Sequence, residues 1–306
     1  MPTDTPAADE LARRLSPGTV LRRDESLARR TTLRVGGPAD LYVEPASEED
    51  LAEVLKFCHE RDLKFFVLGR GSNLLVRDGG FRGVVLSLAH PNFSRIEALD
   101  QRLRCGAGAK LKAVAVEARR NGWSGMEFLE GIPGSVGGAL RMNAGAMGSA
   151  TFDAVESVRV MDHEGNVRDA ARDEFNVEYR SCADFKTHIA LAAVFRGRPD
   201  SQESIAQRMF AFSQKRWTTQ PAAPSAGCMF KNPATVPAGK LIQELGLKGT
   251  RVGGAVVSQE HGNFIVNDGT ATAHDVIELI ETIKRRAQAE RGIELHTEVE
   301  IIGDDH

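Results

Sequence analysis

The sequence predicts an α+β protein of about two domains. Three observations carry this. Helical periodicity and short apolar β runs are mixed along the first two-thirds of the chain. Two dense glycine loops interrupt that pattern, and the pattern itself changes after Arg198-Pro199-Asp200-Ser201. With 306 residues, 42% hydrophobic and 26% charged, the chain can bury a core in each of two domains.

Ser47 with Asp50 three residues on resembles a capping box. Leu51, Val54, Leu55 and Cys58 then recur at helical spacing. Phe65-Phe66-Val67-Leu68 and Gly83-Val84-Val85-Leu86 read as short strands, and residues 102–107 as a third. Leu111, Val114, Ala115 and Ala118 mark an amphipathic helix that Asn121-Gly122 would end. Residues 155–160, 166–170 and 189–195 read as strands, the first two joined by a turn at His163-Glu164-Gly165. Beyond residue 200 come a helix over 205–217, a Pro/Ala loop with Pro221 and Pro224, a strand over 263–266, a helix over 273–291, and a last strand over 294–302. Strand alternation over that last segment would put Glu294, His296, Glu298 and Glu300 on one face.

The richest segment is residues 125–148, where seven glycines interleave with Met126, Phe128, Leu129, Ile132, Val136 and Leu140. A flexible linker would be polar instead, so a folded loop facing a ligand is expected. Gly69-Arg70-Gly71-Ser72-Asn73-Leu74, after the Phe65 strand, is a second such loop. Backbone N–H groups in these loops suit phosphate. Leu74 stands where a third dinucleotide-fold glycine would fall, and no Lys-Ser/Thr pair follows, so neither common nucleotide fingerprint applies. Two loops of this kind in one chain point to a large phosphorylated cofactor.

Net charge is −3, which gives no electrostatic case for nucleic acid. No apolar run approaches the ~20 residues of a membrane span, so no membrane partner is expected. Cys58, Cys105, Cys182 and Cys228 form no metal or redox pair, so no metal is expected. The polar start of the chain reads as no signal peptide, and a cytoplasmic setting is expected.

Thr31-Thr32-Leu33-Arg34-Val35-Gly36-Gly37-Pro38-Ala39-Asp40, the Gly69–Leu75 loop, Gly131 to Gly145, Tyr179-Arg180-Ser181, Ala226-Gly227-Cys228-Met229-Phe230-Lys231-Asn232-Pro233, Ala238-Gly239-Lys240-Leu241-Ile242 and Glu298-Val299-Glu300-Ile301-Ile302-Gly303 follow one another in order. In this series the chain resembles the UDP-N-acetylenolpyruvoylglucosamine reductases of bacterial peptidoglycan synthesis. The resemblance implies a two-subdomain FAD-binding region of the flavin-dehydrogenase (PCMH-like) type and a C-terminal α+β substrate domain. The divisions expected are an N-terminal segment 1–29, an FAD-binding region 30–200 split near 88, and a substrate domain 201–306. No Tyr follows Tyr179, so the chain resembles the shorter form of the family, without the Tyr-bearing insertion.

The resemblance implies FAD as cofactor, NADPH as co-substrate, a nucleotide-sugar enol ether as substrate and a monomeric enzyme. No His lies in either glycine loop, so FAD should be non-covalent. It implies Arg180 at the substrate carboxylate, Glu298 as the catalytic carboxylate and Cys228 as proton donor to C2. Most relatives carry Ser in place of this Cys. Tyr179, Lys231 and Asn232 fall at substrate positions. Gly69, Arg70, Gly71, Ser72, Asn73 and Leu74, with Gly134, Ser135, Gly138, Asn143 and Ala144, fall at cofactor positions. From residues alone, Arg180 could equally be a surface ion pair, Glu298 part of a solvated face, Cys228 a small buried hydrophobe and Lys231 a loop lysine. Ser225 is a rival donor. Where relatives often place a Lys, this chain has Thr218-Thr219-Gln220-Pro221, leaving Lys215, Arg216 or Lys240 to meet a diphosphate. Two other readings stay open: a related flavin enzyme with another substrate, and a binding protein without chemistry.

Overall fold

A computed structural model describes residues 5–305. The chain forms two compact units. One takes residues up to 23, 40–70 and 83–215; the other takes 24–39, 71–82 and 216 onward.

In the first unit, the helix Glu48–Glu60 starts where its cap predicts. Ser47 Oγ accepts from the Asp50 N–H at 3.1 Å. Leu51, Val54, Leu55, Phe57 and Cys58 form its buried stripe. The strand Phe65–Leu68 runs parallel to Phe81–Ser87, in a four-stranded sheet completed by Pro38–Glu44 and Val20–Ser26. A five-stranded antiparallel sheet orders Val167–Ala171, Val155–Asp162, His188–Arg196, Arg102–Gly106 and Ile96–Leu99. Its first two strands turn at Gly165, where φ is +89° and Asp162 Oδ1 accepts from the Glu164 and Asn166 N–H groups. The helix Leu111–Arg120 buries Leu111, Val114, Ala115 and Ala118 and ends at Asn121-Gly122.

Residues 125–148 are folded. They hold a 3₁₀ turn, Glu127–Gly131, and a short helix, Val136–Arg141, then turn into a hairpin pairing Gly145–Ala146 with Ser149–Ala150. Met126, Phe128, Leu129, Val136 and Leu140 are buried in the core of this unit.

In the second unit, Ser225–Cys228, Phe264–Asn267, Ala255–Val257 and Arg251–Val252 form an antiparallel sheet. The helix Ala273–Arg291 has a full capping box. Thr272 Oγ1 accepts from the Asp275 N–H and Asp275 accepts from the Thr272 N–H. Gly292 closes the helix with φ of +64°. Val276, Leu279, Ile280, Ile283 and Ala287 form its buried stripe.

The last predicted strand is corrected. Of residues 294–302, only Glu300–Ile302 is a strand, parallel to Leu74–Val76. The four residues before it face another partner. The Lys231 main-chain N–H donates to His296 O at 2.9 Å, and the Glu298 N–H donates to Met229 O at 2.8 Å. Regular alternation needs one continuous partner, and the backbone changes partner between Val299 and Glu300. His296 is exposed while Glu298 and Glu300 are half-buried, so the four residues do not form one solvated face. Among the described residues no helix is long and apolar enough to cross a membrane.

Candidate active site

The first unit brings the two glycine loops together. A Cβ on Gly69 would lie 3.0 Å from Ser135 Oγ and 3.7 Å from Gly138 Cα, although 66 residues of sequence separate Gly69 from Ser135. Backbone bonds hold the second loop in place: Leu111 N–H to Gly134 O (3.1 Å), Val136 N–H to Ala109 O (3.0 Å) and Gly137 N–H to Ala107 O (2.8 Å). Gly69 and Arg70 are exposed, and Gly134 and Gly138 are half-buried. Gly125 and Gly131 have open space where a Cβ would be. Small residues of this kind let a bulky anion approach the backbone closely.

Arg180 sits next to this loop. Val177–Glu178 and Ser181–Cys182 form a hairpin whose two-residue turn is Tyr179-Arg180. Arg180 has φ of +57°, a position where glycine is the favoured residue. A non-glycine residue there costs roughly 1–2 kcal/mol, and such strain gathers at functional sites. Asn143 Nδ2 donates to Glu178 O at 3.1 Å, and Asn143 Oδ1 accepts from the Phe152 N–H at 3.2 Å. A Cβ on Gly145 would lie 3.2 Å from Arg180 Nη1. The Arg180 guanidinium lies over the exposed Tyr179 ring, 5.2 Å from its centroid. Ala144 O accepts from Thr151 at both N–H and Oγ1, which ties down the hairpin that follows. The supports from Asn143 and Gly145 come from a segment some 35 residues away, and only their place in the glycine loop hinted at them.

The second unit holds the rest of the series. Gly71 has φ of +60°, and a Cβ there would lie 2.5 Å from Arg30 O and 2.7 Å from Thr31 Cα. Its smallness is therefore required by the chain itself. Ser72 and Asn73 are half-buried and Leu74 is buried. Asn73 Nδ2 donates to Glu298 O at 3.0 Å, and Asn73 O accepts from the Glu300 N–H at 3.1 Å. Cys228, half-buried, ends the strand Ser225–Cys228. The next residue, Met229, accepts at its carbonyl from the Glu298 N–H, so the chain segments of Cys228 and Glu298 are joined.

Sequence reasoning missed Asn263. It is buried and copies a strand pair with its side chain: Oδ1 accepts from Phe230 N–H (2.9 Å) and Nδ2 donates to Phe230 O (2.8 Å). Its own carbonyl accepts from the Met229 N–H at 2.8 Å. A buried Asn opening an apolar strand was the available signal. Lys231 is half-buried. Asn232 is exposed and its Oδ1 accepts from the Ala238 N–H at 3.0 Å, which caps the helix Ala238–Glu244. That leaves its amide NH₂ for a ligand. Lys240 is exposed, 3.8 Å from Glu244.

No disulfide joins the four cysteines, and they differ in burial. Burial pushes the Cys58, Cys105 and Cys182 thiols up to about 12, helped by Glu117 near Cys105 and Asp184 near Cys182. Burial, and then the Lys248 charge, pull His261 below the ordinary histidine value.

The residues present fit a phosphate-bearing flavin. The Gly69/Ser135/Gly138 contact makes a cradle lined by small residues. In the second unit, the Thr31 hydroxyl is buried with no protein hydrogen-bond partner, while the Cα and methyl group of the same residue crowd Gly71.

Comparison with known proteins agrees. Residues 39–171 match the family model described as an FAD binding domain, and residues 220–302 match the C-terminal domain of UDP-N-acetylenolpyruvoylglucosamine reductase. The reductase of that name from Pelobacter propionicus is 44% identical over 288 residues, covering 94% of this chain and 97% of that protein. Its counterpart from Clostridioides difficile is 42% identical, covering 93% and 94%. The crystal structure of the Thermus caldophilus enzyme superposes with a TM-score of 0.81 at 39% identity, over 92% of this chain and 99% of that one. With both of its halves matched and its relatives covered almost end to end, the chain belongs to the UDP-N-acetylenolpyruvoylglucosamine reductase family.

Proposed function

We propose that this reductase uses Arg180, Glu298 and Cys228 to turn an enolpyruvyl ether into a lactyl ether. The enzyme reduces UDP-N-acetylglucosamine enolpyruvate to UDP-N-acetylmuramate at the expense of NADPH. Bound FAD supplies the hydride that reaches C3 of the enol ether. The Gly69–Leu74 loop, Gly134, Ser135, Gly138, Asn143 and Ala144 would hold that cofactor, without a covalent bond.

As C3 gains hydride, negative charge develops at C2 and its carboxylate. Arg180 binds the carboxylate through its planar fork, whose paired N–H groups match the two carboxylate oxygens. Glu298, as the acid form, donates a hydrogen bond to the same developing enolate. Cys228 then gives its proton to C2, and the thiolate is re-protonated from solvent. A thiol has a reference pKa of about 8.5, so the thiolate left behind is stable. Lys231, Asn232 and Tyr179 orient the nucleotide sugar.

The observation that carries this reading is the bond from Glu298 N–H to the carbonyl of Met229, the neighbour of Cys228. It holds acid and donor on joined segments. A cytoplasmic location is our reading too, because NADPH and nucleotide sugars are made and kept there. We take a single chain as the working form, which sedimentation at assay concentration tests.

Stopped-flow measurement of the two half-reactions tests the roles. Arg180→Lys should take hydride from NADPH at the parent rate and be reoxidised by the enolpyruvyl nucleotide roughly 100- to 1,000-fold more slowly, the usual cost of one transition-state contact. Near-parent reoxidation would make Arg180 a surface residue. The turn adds a second check. Arg180→Gly should be more stable than Arg180→Ala by about 1 kcal/mol, because glycine alone relieves the positive φ.

A further inference from the structure

Thr32 belongs to the matched motif series but has no role in the chemistry above. Its N–H donates to Gly71 O at 3.1 Å. Its hydroxyl lies 2.6 Å from Ser225 O, with Gly71 O a longer 3.3 Å away. Thr32 thus joins the turn of the cofactor loop to the first residue of the strand that ends at Cys228.

That strand needs such a tie. Its pairing with Phe264–Asn267 shifts register between Ser225 and Cys228, and Gly227 within the shift has φ of +75°. The cofactor-loop end is closely packed, since Gly71 lies against Arg30 and Thr31 with no room for a Cβ. The Thr32 hydroxyl therefore connects a closely packed turn to an irregular strand.

We propose that Thr32 is a positioning residue for Cys228, setting where the thiol stands relative to the cofactor loop. The proposal rests on the reading that Cys228 protonates C2. Proton transfer demands hydrogen-bond reach, about 2.6–3.2 Å between heavy atoms, and a misplacement of about 1 Å can cost 100-fold. Losing the hydroxyl leaves the half-buried Ser225 carbonyl without this donor and lets the strand end drift.

Thr32→Val removes the hydroxyl and keeps the shape; Thr32→Ser keeps the donor. Thr32→Ala serves in place of the valine if that variant folds poorly. Three quantities are read: FAD affinity of the apoenzyme by titration, the two half-reactions by stopped flow, and the iodoacetamide alkylation rate of Cys228 in FAD-loaded, substrate-free enzyme. For Thr32→Val, FAD affinity should stay within about threefold and reduction by NADPH should be unchanged. Reoxidation by the enolpyruvyl nucleotide should fall about 10- to 100-fold, and Cys228 alkylation should change several-fold. Thr32→Ser should restore both. Unchanged reoxidation and alkylation in Thr32→Val would overturn the proposal, as would an equal slowing of both half-reactions in step with FAD loss. If Cys228→Ala is reoxidised at the parent rate, the donor reading is what fails, and the alkylation rate alone then decides whether Thr32 places the thiol.

Discussion

The side-chain amide of Asn73 donates to the main-chain carbonyl of Glu298 at 3.0 Å, across 225 residues of sequence. The main-chain carbonyl of Asn73 also accepts from the Glu300 N–H. Asn73 therefore holds the main chain directly after Glu298 at two points, one on either side of Val299. A residue expected to serve the cofactor loop also holds the backbone of the expected acid. One of its two side-chain N–H donors is thereby committed to protein.

Asn73→Ala should slow reoxidation of the reduced flavin by about tenfold while reduction by NADPH changes little. The Glu298 carbonyl loses its donor, and a partly buried acceptor left unsatisfied costs about 1–3 kcal/mol. Stopped flow reads the split, and thermal unfolding should show a stability loss of the same order. An equal effect on both half-reactions would mean that Asn73 acts on FAD alone.

Gly69 and Gly71 should respond oppositely to alanine. At Gly71 the added Cβ meets the backbone of Arg30 and Thr31, at a positive φ. Neither can move cheaply, so Gly71→Ala should lose more than about 2 kcal/mol of stability. At Gly69 the contact is the Ser135 hydroxyl at 3.0 Å, which can rotate away. Gly69→Ala should keep its melting temperature as apoenzyme and lose FAD affinity. Apoenzyme melting and FAD titration, run side by side, decide the matter; equal melting of the two variants would refute it.

Acid should weaken the second unit through His261. Its Nδ1 accepts from the Asn263 N–H at 3.1 Å, and its ring lies edge-on to Phe264. Burial, with the Lys248 charge adding to it, lowers the folded pKa below the unfolded value of about 6.5. The folded state then binds fewer protons than the unfolded state. Its contribution is full above about pH 6.5 and is lost as pH falls through the folded pKa. His261→Asn keeps an acceptor two residues before Asn263 but does not titrate. Its melting temperature should vary less between pH 7 and 5 than that of the parent. Equal slopes would rule out His261 as the source.

Local signals in the sequence read well, and long-range ones did not. The Glu48–Glu60 helix is written in its own cap and stripe, as is the Leu111–Arg120 helix. The folded nature of residues 125–148 is legible because apolar residues interleave with the glycines. The family is legible because many modest motifs keep their order. By contrast, Thr32 meets Ser225 across 193 residues, and no local pattern announces a hydroxyl that bonds a distant carbonyl. The segment before Glu300 misled because alternation of charged residues looks the same whether or not the strand keeps one partner. Gly71 could be read as a ligand-facing glycine, yet only its neighbours Arg30 and Thr31 explain it.

Cys228 offers the riskiest test. Cys58, Cys105 and Cys182 are buried with thiols near 12, so almost none is thiolate at pH 7.5. Iodoacetamide should therefore modify one residue, the half-buried Cys228, and the enolpyruvyl nucleotide should protect it. Peptide mass mapping reads the site. Cys228→Ala should still take hydride from NADPH at the parent rate, because that step needs no proton at C2. Its reoxidation by the enolpyruvyl nucleotide should fall by about 100-fold or more, the usual contribution of a placed acid. Cys228→Ser should regain part of this, since a hydroxyl can donate from the same position. A Cys228→Ala variant that reoxidises at the parent rate would leave Cys228 as packing only. Ser225, at the other end of the same strand, would then be the donor to substitute.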